Sequence, residues 1–467
     1  MEEHMLTYDL ERRGSLARYD YLYRCIKEDI LSGRLAAGEK LPSKRALARH
    51  LETAVVTVEN AYAQLAAEGY LRSEEKRGYF VSFVETRPAP IRIEERDEGQ
   101  QEGERTWLLD LKSGGSGTEG FPFSVWAKLM RRVLTEEGEA LLRSMPHSGV
   151  PELRRAIARH LYQFRGITAA PDQIVVGAGT EYLYNLIVQL LGRDRVYGVE
   201  DPGYSKAARV YELSGARCVF LPVDGQGVAP ERVETSGAQV LHISPNHQFP
   251  TGAVTPIARR QSLLHWVGAE EGRYIIEDDY DSEFRFTGRP IPTLQSIDRG
   301  ERVIYMNTFS RSLAPSLRIS YMVLPRPLLE VYRRKLGFYS CTVPAMEQYT
   351  LAHFLEEGGF ESHVSRMRVF YRGRRDAVLE AIRTSPLAGR CRIRGENAGL
   401  HFLMELDTER EDGELAALAE EQGIRLSFLS AYQHSPGAAV PHTVVVNYPG
   451  ADLLHLDEAL ERLAGLM

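Results

Sequence analysis

Three short stretches of this 467-residue chain gather side chains able to hold an anion or to bind a ligand at a strand end. EDDYDSEF follows the apolar run RYII, and the alternation of strand side chains puts Asp278 and Tyr280 on one side. A carboxylate at the C-terminal end of a strand lies where open α/β sheets bind ligands; the plainer alternative is an aspartate that caps a loop. NTFSRSLAPSLRIS sets the hydroxyls of Thr308 and Ser310 around Arg311, with Arg318 further along the same loop. In QIVVGAGTEYLYNLI an apolar run meets Gly177 and Gly179, and a helix opens at Thr180. Free backbone N–H groups at such a start can hold a phosphate, although glycines there also make simple tight turns. VEDPGYSK adds Tyr204 beside Lys206, and ISPNHQFPTG adds a polar loop with Asn246, His247 and Gln248. Amines are scarce. Of 57 basic residues only eight are lysine, so chemistry that needs an amine has few places to go.

A second group sits near the N-terminus. Ser43 precedes an apolar-periodic run as an expected helix N-cap, with Lys44 and Arg45 beside it, a grouping suited to phosphate oxygens. Residues 1–84 balance 13 acids against 13 bases, yet Arg34–Arg49 holds five bases and one acid. A small helical bundle with a solvated basic face carries the same pattern.

The elements that must position these groups follow from periodicity. Leu22, Ile26 and Ile30 recur on one helix face, which stops at Ser32-Gly33. Gly38 and Pro42 turn the chain into a second helix, with Leu47 and Leu51 facing inward. Thr53 is expected to cap a third helix, whose inner face is Val58, Ala61, Tyr62 and Leu65. Two helices joined by a short turn form a helix-turn-helix. YLRS and GYFV then read as two strands around EEKRG, a wing carrying Lys76, Arg77 and Gly78. The spacing places this domain at 14–84. Residues 85–106 form a charged linker, since from Glu94 to Arg105 there are six acids, two arginines and no apolar residue. From 107 to 467, strand-like runs (QIVVGA, RYIIEDD, RVIYMN, YMVLP) alternate with amphipathic helical stretches, which predicts an α/β domain with a mostly parallel sheet.

Composition narrows the class. The chain is 43% hydrophobic and 26% charged with a net charge of −7, an ordinary globular balance and no polycation. No apolar run approaches the ~18 residues of a membrane helix, and the N-terminus has no apolar signal core. Four cysteines, at 25, 218, 341 and 391, are too scattered for a metal clamp or a disulfide framework. A cytoplasmic multi-domain protein is expected, with no membrane partner and no metal.

GRLAAGEKLPSKRALARHLETAVVTVENAYAQLAAEGYLRSEEKRGYFV resembles the winged helix-turn-helix of the GntR family of bacterial regulators. LPSKRALA, VEDPGY, HQFPTG, EDDYDSEF and TFS-x-SLAPSLR, in that order, resemble the MocR family, in which that domain is fused to a fold-type I aminotransferase-like domain. The resemblance implies a multi-domain chain: an N-terminal winged helix-turn-helix, then a large α/β pyridoxal phosphate-type domain with a smaller α+β C-terminal subdomain. It implies double-stranded DNA as partner, a small-molecule effector and a head-to-tail homodimer. On DNA, Lys44 and Arg45 would meet the backbone, the third helix would enter the major groove, and the wing would touch the minor groove. In the cofactor pocket, Asp278 would pair with the pyridine nitrogen and Tyr280 with the ring hydroxyl. Thr180, Thr308, Ser310 and Arg318 would hold the phosphate, and Tyr204 would flank the ring. One of Asn246, His247 and Gln248 would add a ring contact.

Departures from that pattern shape the functional expectation. The family's Ser/Asn-Arg at the start of the third helix is Ala54-Val55 here, which removes the commonest base contact and leaves Thr53, Val55, Val56 and Thr57. The Schiff-base lysine is Arg311, whose delocalised guanidinium cannot attack an aldehyde. The family's Gln after the phosphate-binding Thr is Glu181, and a ligand-carboxylate arginine is Lys206. A second such arginine has no counterpart in HTVVVNYPG. The expected protein is therefore a DNA-binding regulator that senses a small molecule without catalysis, with Arg311 and Lys206 among the ligand-facing groups. Its ligand is either noncovalent pyridoxal phosphate or another anion. An aminotransferase with an accessory DNA-binding domain, and a ligand-independent dimeric scaffold, are the alternatives.

Overall fold

The computed structural model describes residues 5–83, 107–112, 120–286, 291–397, 399–435 and 440–467. The chain divides into two units, Met1–Glu104 and Arg105–Met467. The expected linker at 85–106 lies outside the described residues. No helix among the described residues is long and apolar enough to cross a membrane.

In the first unit the helices are α1 (Arg18–Leu31), α2 (Lys44–His50) and α3 (Val55–Ala67). Their apolar faces meet in one core that holds Leu22, Ile26, Ile30, Leu47, Val58, Tyr62 and Leu65. Ser43 caps α2 as its sequence position predicts, accepting from the Ala46 amide. Thr53 does not cap α3. The N-cap is Ala54, with no side-chain hydrogen bond, because α3 begins one residue later than the pattern suggests. The Thr53 hydroxyl is instead buried without a partner among the described residues. Tyr62 is fully buried and donates to the Pro42 carbonyl at 3.0 Å, which ties α3 to the turn before α2. The core also extends further back than residue 14: Leu6 and Leu10 are buried in it. The wing is the antiparallel pair β1 (Leu71–Glu74) and β2 (Gly78–Val81). Its turn needs left-handed backbone at Lys76 (φ 62°) and Gly78 (φ 111°), which glycine supplies without strain.

In the second unit, β3 (Leu109–Asp110) is followed by the strands of the large sheet. These are β4 (Ile174–Ala178), β5 (Val196–Asp201), β6 (Arg217–Asp224), β7 (Gly227–Val228), β8 (Val240–Ile243), β9 (Tyr274–Asp278), β10 (Val303–Thr308) and β11 (Ile319–Val323). The spatial order is β4-β11-β10-β9-β8-β5-β6-β7. The pairs β10–β9, β9–β8, β8–β5 and β5–β6 are parallel, and β11 runs antiparallel between β4 and β10. The YMVLP run thus supplies the one reversed strand in the middle of a sheet expected to be mostly parallel. Both faces are covered, and strand alternation distributes the side chains. Along β10, Tyr305 packs into the core that holds Trp126, Leu153 and Ile157, whereas Ile304 and Met306 pack against Leu183, Leu186 and Ile187 on the other face.

The C-terminal subdomain is α+β. β12 (Cys391–Arg394), β13 (Phe402–Leu406) and β15 (Thr443–Val446) form an antiparallel sheet, covered by the helices Gly359–Thr384 and Leu456–Leu466. Between them, β14 (Ile424–Arg425) pairs in parallel with β3, so the first described stretch of the second unit is built into this subdomain.

Candidate functional site

The C-terminal ends of β4, β5, β8, β9 and β10 converge on a cavity of about 400 Å³, at the crevice where open α/β sheets place ligands. Its wall includes Thr180, Tyr204, Lys206, Asp278, Tyr280, Thr308, Ser310, Arg311 and Arg318, which the structure brings together as the sequence spacing suggests. Asp278 ends β9 and is buried. Its Oδ2 accepts from the Tyr184 phenol at 2.6 Å and lies 3.4 Å from His242 Nε2, whose Nδ1 is 2.8 Å from the Tyr211 hydroxyl. Its Oδ1 has no hydrogen-bond partner among the described residues. Burial, with Asp278 beside it, pushes the Tyr184 phenol well above its usual range, so it stays protonated and donating.

Around the opposite end, Thr308 caps the short helix Phe309–Ser312, accepting from the Ser310 amide. The Ser310 hydroxyl is buried and unpartnered among the described residues. The helix Thr180–Leu191 opens after Gly179, whose φ of 92° favours glycine. A Cβ there would collide with the Arg318 guanidinium, so that glycine also makes room for the arginine. Arg318 is paired with Glu181 at 2.6 Å, and Lys206 lies 3.8 Å from the same carboxylate. Glu181 therefore stands beside the expected phosphate groups as a partner of its cations. Burial opposes its charge, yet its own backbone amide and Arg318 hold its carboxyl below the usual range.

Asn246, His247 and Gln248 are absent from this cavity wall. Asn246 bridges Asp279 and Arg260, and Gln248 donates to the carbonyls of Pro202 and Phe249. His247 pairs with Asp281 at 2.9 Å and lies 3.1 Å from the Tyr280 hydroxyl. The loop's contribution to the wall is Ser244 and Phe249 instead. Sequence reasoning also missed Glu200, His242, Phe220 and His434, all of which line the cavity. The rule that flagged Asp278, a polar residue at the C-terminal end of a parallel strand, applies equally to Glu200 on β5 and His242 on β8. Burial pushes the Glu200 carboxyl up to about 8, against the opposing hydrogen bonds from the Ser244 amide and Gln248. Nothing local in the sequence announces His434, which stacks on Phe220 at 4.4 Å and is anchored by its backbone N–H on Asp201.

In the first unit, Ser43, Arg45, Lys76 and Arg77 are exposed, and Val55 and Val56 project 43% and 57% exposed from the start of α3. Thr57 is half-buried on the same turn. Lys44 is already paired with Glu59 of α3 at 2.5 Å, and Arg77 with Glu74 at 2.6 Å.

A winged helix-turn-helix joined to an aminotransferase-fold domain defines a class of transcriptional regulator. Residues 18–81 match the bacterial regulatory proteins of the gntR family, and residues 108–463 match aminotransferase class I and II. The chain is 40% identical to the HTH-type transcriptional regulator YdeL of Bacillus subtilis over 98% of each chain. It is 32% identical to the probable rhizopine catabolism regulatory protein MocR of Rhizobium meliloti, over 97% of this chain and 94% of that one. Among solved structures, the α-aminoadipate aminotransferase LysN of Thermus thermophilus is similar at 26% identity and a TM-score of 0.66, covering 77% of this chain and 91% of that chain. The chain belongs to the MocR family of GntR-type DNA-binding regulators.

Proposed function

We propose that this regulator binds DNA through its first unit and senses an anionic small molecule in the large-domain cavity without chemical turnover. The supporting observation is the cavity's cation set: Arg311, in the same wall as Asp278, Thr308, Ser310 and Arg318, stands where the family pattern expects the reactive lysine. The remaining cradle fits pyridoxal phosphate. The orphaned Asp278 Oδ1 is an acceptor for a protonated ring nitrogen, and the orphaned Ser310 hydroxyl is a donor for phosphate. Tyr204 and Phe249, both in the wall, would flank the ring, and Tyr280 would face its hydroxyl. When bound, the cofactor would supply an electron-withdrawing ring and an aldehyde. The described wall offers that aldehyde one amine, Lys206, whose ammonium already faces Glu181.

The residues that would touch DNA are Ser43, Lys44, Arg45, Val55, Thr57, Lys76, Arg77 and Gly78; Thr53, expected among them, drops out because its hydroxyl is buried. The stretch 85–106 is the tether, and the active species is a head-to-tail homodimer.

The test is spectroscopic. The full-length protein mixed with pyridoxal phosphate should bind it without the yellow colour of a lysine-bound cofactor, and borohydride should leave no label. Arg311→Lys should turn yellow and become borohydride-labelled at position 311. A yellow wild type, with the label on Lys206, would overturn the reading.

A further inference from the structure

Glu181 stands in the first turn of the helix Thr180–Leu191, and its two carboxylate oxygens face two cations from separate elements. Oε2 accepts from Arg318 Nη2 at 2.6 Å, and Oε1 lies 3.8 Å from Lys206 Nζ. The Arg318 backbone is left-handed (φ 50°), and its guanidinium lies against Gly179, where any Cβ would overlap it. In the same cavity wall, the buried Ser310 hydroxyl has no partner among the described residues. The cavity thus holds an oxyanion-binding set whose cations are engaged by the chain's own carboxylate and whose neutral donor is left over.

We propose that Glu181 is an internal anion that selects the ligand: it occupies Arg318 and Lys206 until a phosphate monoester displaces it, and simple carboxylates do not. This deepens the reading of the cavity as a phosphate cradle and rests on it. Exchange of one carboxylate for another gains no charge and no extra acceptor. A phosphate monoester carries a charge of about −1.5 to −2 and three acceptor oxygens. It can engage the freed Arg318 and Lys206, the Ser310 hydroxyl and the N–H groups at the helix start together. The Glu181–Arg318 pair is half-exposed on the arginine side, and such pairs are weak enough to open. Glu181 is itself partly exposed, so its side chain has solvent to swing into.

The experiment measures equilibrium binding of pyridoxal phosphate, inorganic phosphate, acetate and unphosphorylated pyridoxal to full-length wild type, Glu181→Gln and Glu181→Ala. Thermal melts check that each variant is folded. Both variants should bind pyridoxal phosphate at least roughly tenfold more tightly than wild type, the order released when a charged hydrogen bond no longer has to be broken. Inorganic phosphate should gain similarly, and pyridoxal should not change. Wild type should bind acetate far more weakly than phosphate. Equal pyridoxal phosphate affinity in wild type and variants would overturn the internal-anion role while leaving the cradle intact. An equal gain for unphosphorylated pyridoxal would also overturn it, since the phosphate would then not be what exchanges. Binding of neither phosphate nor pyridoxal phosphate by any of the three proteins would overturn the cradle reading, and the internal anion with it.

Discussion

The Tyr184 phenol donates to Asp278 Oδ2 at 2.6 Å, which leaves Oδ1 as the buried oxygen without a partner among the described residues. One side of the carboxylate is spent on the protein and the other is left for the proposed ligand. Asp278→Asn should therefore weaken pyridoxal phosphate binding by roughly tenfold or more, because a neutral amide forfeits the ~1.5–3 kcal/mol of a charged hydrogen bond. Tyr184→Phe should cost stability, of order 1 kcal/mol, with a smaller effect on binding. Equilibrium dialysis and a denaturant melt separate the two. Unchanged affinity in Asp278→Asn would remove the ring-nitrogen role.

On the DNA side, the Lys44–Glu59 pair makes the two neighbouring cations unequal. Arg45→Ala should lower the slope of log affinity against log salt by roughly 0.9, the value for one lost phosphate contact. Lys44→Ala should lower it less, and Glu59→Ala should raise affinity on every sequence by releasing Lys44. Loss confined to one base position would show that these residues read sequence instead.

Val55 projects from the first turn of α3, 43% exposed, where the GntR resemblance implies an arginine. Val55→Arg should increase overall affinity and shift one selected base toward guanine by ~1–3 kcal/mol. A binding-site selection experiment reads both. An unchanged affinity and consensus would mean that this helix start does not reach base edges.

Glu200 gives the fold a pH signature. Its carboxyl is pushed from 4.5 up to about 8 by burial, so between these values the folded chain keeps a proton that the unfolded chain has released. The group's contribution is fully present below about pH 4.5 and is lost as pH rises through about 8. Glu200→Gln, which never ionises, should lose less stability than wild type over that window, as followed by thermal melts. Parallel pH profiles would show that Glu200 does not titrate there.

Most of the architecture was legible in the sequence because period and caps carry it. The Leu22, Ile26 and Ile30 spacing, the Ser43 cap and the EEKRG turn each have a local physical cause. Thr53 misled because its hydroxyl is a good cap in type, yet α3 starts after Ala54 and buries it. The β-strand motifs located Asp278, Thr308 and Ser310, whose roles depend on strand ends. The polar loop Asn246–Gln248 did not follow its composition, because those side chains are consumed by Arg260, Asp279, Asp281 and backbone carbonyls. Partners so distant in sequence leave no local trace. His434 likewise gains its place only through Asp201 and Phe220, more than 200 positions away.

β3 and β14 pair over only two residues each, yet that pairing decides where the polypeptide leading back to the DNA-binding unit is fastened. Leu109 and Ile424 share one core with Phe428, which immediately precedes the turn Leu429–Tyr432 that leads to His434 on the cavity wall. The β3–β14 pair and the start of the segment that leads to His434 thus rest on one core. Side-chain packing alone therefore links the described start of the second unit to the segment that carries the wall residue His434.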